Sequence, residues 1–73
     1  MGKHTEADLD NMIHYFLDEE VNCPKNPNVC AMLSTTHGRD RIFKAIKYLI
    51  FNQGFDDIEA AITHLEIQFD WAE

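Results

Sequence analysis

Leu9, Met12, Ile13, Phe16 and Leu17 fall at i, i+3, i+4, i+7 and i+8, which puts five apolar side chains on one helical face. The period returns twice. Ile42, Phe43, Ile46, Leu49 and Ile50 repeat it after Arg39, and Ile58, Ala61, Ile62, Leu65, Phe69 and Ala72 repeat it toward the end of the chain. No run of strand length alternates apolar with polar residues, and no internal repeat is visible. One-faced helices must bury their stripes against one another. The chain therefore predicts an all-α fold: a compact three-helix bundle, one domain over residues 1–73.

Local signals place the boundaries. Thr5 followed by Glu6 and Asp8 reads as an N-cap with acids in the first turn, where the helix dipole favours them. The first helix is predicted over 6–21, with Val21 as its last turn and Pro24 closing the segment. Asn22 to Asn28 is a turn cluster with two prolines and three asparagines. Asn26-Pro27 suits the start of an extra short helix at about 27–36, either separate or the beginning of the next. Ser34, Thr35 and Thr36 each offer a cap for the helix that follows. Gly54 is placed to end that helix in the left-handed conformation. Asp56 then reads as the cap of the last helix, Glu59 as its capping-box partner and Phe55 as the staple.

Charge is unevenly distributed. The formal net charge is −7, with −5 over residues 1–22, +4 over 23–54 and −6 over 55–73. A basic middle helix between acidic neighbours would bring Arg41, Lys44 and Lys47 near carboxylates on both sides. The acidic balance argues against affinity for nucleic-acid backbones, which needs clustered cations. The helices around Gly54 also fail as a DNA-reading helix-turn-helix, because the second begins Asp56-Asp57-Ile58-Glu59. Gln53-Gly54-Phe55 is similar to the Gly-Phe loop of ubiquitin-associated domains. Those domains place two more helices after the loop and this chain has room for one, so no family is assigned.

The longest apolar run, Tyr48 to Phe51, is far short of a membrane span, and residues 1–22 carry six acids and no apolar leader. Met1-Gly2 fails the myristoylation pattern at Glu6. A cytoplasmic protein is the simplest expectation. Cys23 and Cys30 do not match structural-zinc spacing and are expected as free thiols packed as small apolar groups. Asp10, His14 and Asp18 stack at i, i+4 and i+8 and are expected to form a solvated polar flank, with cation binding as the sharper alternative. No nucleophile with its base, no phosphate loop and no metalloprotease motif is present, so neither an enzyme nor a cofactor is expected.

The last helix carries a second apolar line behind its core face: Ala60, His64, Ile67 and Trp71. Ile67 lies about 200° from Leu65 around a helix, so both cannot face one narrow core. Phe51 similarly lies about 100° from Ile50. These residues predict a partner-binding surface of Phe51, His64, Ile67 and Trp71 framed by Glu66 and Asp70, aromatic anchors amid charge.

The functional expectation is a small acidic protein-binding module, a regulator or inhibitor that occupies a surface on another protein. Its target surface would be a basic nucleic-acid-binding site, and a concrete version is a phage or mobile-element inhibitor of a host or defence complex. The alternative is a structural homodimer without catalytic activity, joined through Ile67 and Trp71. A core of this size supplies only ~3–5 kcal/mol of net stability, so a partner or second copy adds materially to it.

Overall fold

Four α-helices carry the chain in the computed structural model, which describes residues 6–71: α1 (Glu6–Asn22), α2 (Pro27–Met32), α3 (Thr36–Asn52) and α4 (Ile58–Gln68). Three are long, α2 is a short insert, and no strand occurs among the described residues. This is the expected all-α bundle, with the extra helix resolved as a separate element. The Thr5 cap and Ala72 lie outside the described residues.

The stripes become the core. Leu9, Ile13 and Leu17 of α1 meet Ile42, Ile46 and Leu49 of α3 and Ile58, Ala61, Ile62 and Leu65 of α4, all buried. Val29 and Leu33, from α2 and its C-cap, join the same cluster. α3 packs against each of the other three helices. A short connection makes α3 and α4 an antiparallel pair.

The caps follow the physics of helix ends, with one correction. Thr35 caps α3, its hydroxyl accepting from the Gly38 N–H at 3.0 Å. Gly38 is buried because α2 ends against it. A Cβ there would collide with the Met32 carbonyl oxygen and stand 2.9 Å from its carbon. Gly54 takes φ +82°, as expected, and the Phe55 N–H reaches back to the Leu49 carbonyl at 3.2 Å. Asp57, not Asp56, caps α4, its carboxylate accepting from the Glu59 N–H at 3.2 Å. The reversal after Gly54 takes one more extended residue than the expectation allowed. Glu59 thereby becomes the second helical residue, too early for a reciprocal capping box.

A second correction concerns the end of α4. It stops at Gln68, because Phe69 is extended (φ −67°, ψ 147°). The Phe69 ring, half-buried, lies under the Arg41 guanidinium at 5.1 Å and against the Trp71 ring at 4.9 Å. Trp71 turns back so that its indole N–H donates to the Glu66 carbonyl at 3.3 Å. That carbonyl belongs to the last helical turn and lacks an intrahelical partner. The line through Ala60, His64 and Ile67 therefore does not continue helically to Trp71.

Two glutamates fix α2. Glu20 is only 5% exposed, and its carboxylate accepts from the Lys25 and Asn26 backbone N–H groups at 2.8 and 2.6 Å. Glu66 accepts from the Asn28 and Val29 N–H groups, each at 3.1 Å at its nearer oxygen, and from the Asn28 side chain at 3.0 Å. Asn26, the formal N-cap, makes no side-chain cap bond to the helix. A carboxylate from α4 supplies it instead.

Candidate functional site

The apolar period of α3 and α4 buries one face of each helix and leaves their shared flank open. An apolar groove of ≈ 420 Å³ runs there, lined on α3 by Lys44, Ala45, Tyr48 and Leu49. His64, Leu65 and Gln68 of α4, with Phe69 beyond its end, line the other wall. Ala45 keeps the α3 wall low, while Tyr48, 54% exposed, stands up beside it. The groove falls within the ~300–1,000 Å³ range of clefts that take ligands or anchoring side chains.

Of the expected surface residues only His64 lines this groove, and the others lie on several faces of the bundle. His64 lines it, half-buried, with its ring edge-on to Phe55 at 5.2 Å. Phe51 is 55% exposed, one helical turn beyond Tyr48 on the same outer strip of α3. Ile67 is 70% exposed on the outer face of α4. Trp71 is half-buried and packed on the core. Glu66 is turned toward α2 and Asp70 is exposed. Sequence reasoning missed Lys44, Ala45, Tyr48, Leu49, Leu65, Gln68 and Phe69 as one surface. A signal for part of it exists: Lys44 and Tyr48 fall at i and i+4, on a second line of α3 that Phe51 continues at i+7 beyond the groove.

The α1 flank faces α3. Arg39 donates to Asp18 at 3.0 Å and lies 3.3 Å from His14 Nδ1, while the His14 ring lies 4.6 Å from that of Phe43. Lys47 bridges Glu6 at 2.8 Å and Asp10 at 3.2 Å, and its ammonium is held above the ordinary lysine value, chiefly by the Glu6 hydrogen bond and then by Asp10. The flank is thus an ion-paired seam, not a merely solvated one. Of the three cations expected between acidic neighbours, Lys47 does reach α1. Lys44 instead pairs within its own helix, with Asp40 at 3.1 Å.

Cys23 is exposed and Cys30 half-buried, both free thiols, so only Cys30 is packed as expected. Among the described residues, no three His, Cys, Asp or Glu side chains stand together as metal ligands, and no helix is long and apolar enough to cross a membrane. A second depression, of ≈ 150 Å³, has the opposite character: Glu19, Glu20 and Glu59 line it with Lys25.

No protein-family model, no curated protein and no solved structure matches this chain. The functional reading rests on the residues themselves.

Proposed function

We propose that this protein is a non-catalytic binding module of the cytoplasm, a regulator or inhibitor that occupies a surface on another protein through the α3–α4 groove. The observation that carries this reading is the apolar groove itself, lined by the exposed aromatic ring of Tyr48, with exposed Phe51 one turn further along α3. A chain this small has little apolar surface to spare, and large aromatic side chains left in water beside a cleft are the usual anchors of protein recognition. The version in which the protein offers carboxylates to a basic nucleic-acid-binding site draws no support from the groove, since none of its lining residues is acidic.

The test compares the full chain with its Tyr48→Glu variant, immobilised and exposed to lysate of the native host. Both should show the same helical circular dichroism, because Tyr48 is exposed. A protein retained by the wild type at stoichiometric yield and lost from the variant supports the reading. Equal retention of every bound protein, or none retained, counts against it. Concentration-dependent dimerisation in sedimentation, abolished by the same substitution, would instead give the groove to a second copy and favour the homodimer.

A further inference from the structure

We propose that α2 is a lid: with the turns on either side of it, residues 23–35, it opens as one unit while α1, α3 and α4 stay packed. It lies across one end of the bundle. α2 touches all three long helices. Its anchors are Glu20 near the end of α1, Gly38 in the first turn of α3 and Glu66 near the end of α4. No residue of this segment lines the α3–α4 groove, so the lid is a separate device.

The segment is a unit because its internal order depends on being docked. Six residues are too few to hold a helix in water. The bonds from the Cys30 N–H to the Asn26 carbonyl, 2.9 Å, and from the Leu33 N–H to the Val29 carbonyl, 3.1 Å, therefore last only while α2 is seated. Its cap is borrowed as well. Asn26 makes no side-chain cap bond. Glu66 of α4 accepts from the Val29 N–H at 3.1 Å, and Glu20 of α1 accepts from the Lys25 and Asn26 N–H groups at 2.8 and 2.6 Å. Undocking removes these acceptors together, and the segment melts as it leaves.

The long helices do not need it. α2 and its C-cap give Val29 and Leu33 to the core cluster, and its other members belong to α1, α3 and α4. α1 and α3 pack directly on one another, joined by Asp18–Arg39 at 3.0 Å and Glu6–Lys47 at 2.8 Å, both outside the lid. Opening thus uncovers a small part of the apolar core while it releases the backbone order of the whole segment. That balance marks the units that open below the global transition.

Native-state amide hydrogen exchange of the full chain, in urea well below its unfolding midpoint, tests this. The amides of Lys25, Asn26, Val29, Cys30 and Leu33 report the lid, and those of Ile13, Ile46 and Ile62 report α1, α3 and α4. The lid amides should share one protection factor, about tenfold or more below the other three, and lose it less steeply with urea, because partial opening exposes less surface. Glu20→Gln and Glu66→Gln keep the shape of each anchor without its charge. Each should lower protection at all five lid amides by one common factor of about three or more. Leu9→Val acts about three helical turns from Glu20 and weakens core packing that the open and closed states share. It should lower protection at Ile13, Ile46 and Ile62 about threefold or more and leave the lid amides unchanged. The wild-type comparison decides by itself should a variant fail to fold. Lid amides as protected as Ile13 and Ile46, a Glu66→Gln effect confined to its own contacts, or a Leu9→Val loss shared equally by lid and core would each overturn the proposal.

Discussion

Replacing Gly38 with alanine should destabilise the protein by about 1–3 kcal/mol, although alanine is by itself the better helix former. In an exposed helix the exchange gains about 1 kcal/mol. Gly38 is not exposed. Its missing Cβ is the space occupied by the Met32 backbone carbonyl at the end of α2. A backbone carbonyl has no rotamer to change, so relief requires α2 to move off α3. That movement disturbs Val29 and Leu33, 0% and 8% exposed, and the 3.0 Å bond from the Gly38 N–H to the Thr35 hydroxyl. Overpacking of this kind costs ~1–3 kcal/mol and a lost N-cap about 1 more, together larger than the propensity gain. At ~4–8 °C per kcal/mol for a domain of this size, Tm should fall by about 5–20 °C. Urea denaturation followed by circular dichroism measures the change directly. Gly54→Ala is the natural companion, because Gly54 has open space around it and only a positive φ, +82°, to defend. Its cost should be ~1–2 kcal/mol and should shrink with asparagine. If Gly38→Ala equals or exceeds the wild type in stability, the close approach of α2 is wrong.

Three other outcomes follow from named contacts. Glu66→Ala should unpin α2, costing ~1–3 kcal/mol for the orphaned Asn28 and Val29 N–H groups, and hydrogen exchange at Val29 and Cys30 should accelerate while α1 remains protected; unchanged exchange there would refute the pin. Trp71→Ala should lower the stability of the isolated chain measurably, because the indole packs on the core and donates to the Glu66 carbonyl; a melting curve identical to the wild type would return Trp71 to the free surface. The Lys47 ammonium is held above its ordinary value, so its contribution is fully present below the unfolded lysine pKa and is lost as pH rises through the higher folded one. The stability gap between wild type and Lys47→Met should therefore be constant from pH 7 to 9 and narrow above about pH 10.5; a gap that does not narrow would contradict the Glu6–Lys47–Asp10 bridge.

The helices were legible because their signals are local. Each stripe repeats at the helical period within a single segment, and Asn26-Pro27, Thr35 and Gly54 carry their cap or stop chemistry in their own side chains or lack of one. The failures lie where two local answers are equally good and a distant contact chooses. Asp56 and Asp57 can both cap, and the choice depends on how much extended chain is needed to bring α4 back along α3. Phe69, Trp71 and Ala72 all fit the helical spacing. The helix nevertheless ends at Gln68, where the two aromatic rings gain more by folding back over Arg41, one another and the Glu66 carbonyl. The groove was illegible for a related reason. Its residues alternate between core and surface along each helix, and only the pairing of α3 with α4 brings Ala45, Tyr48, Leu65 and Phe69 to one opening.

The composition misled most about the carboxylates, and the reason bears on function. A net charge of −7 counts every acid as surface potential, whichever way it points. Glu20 and Glu66 point inward. Between them they bind the backbone N–H groups of Lys25, Asn26, Asn28 and Val29, holding a six-residue helix that is far too short to stand alone. Glu6, Asp10, Asp18 and Asp40 are spent on Lys47, Arg39 and Lys44. Much of the acidity is therefore a folding device that seats α2 and joins α1 to α3. The opposite flank of α3, toward α4, is the side on which no carboxylate lines the opening. An overall acidic chain can in this way keep an apolar opening free of lining carboxylates, and the sum of its charges, screened by salt, says little about what meets that opening at short range.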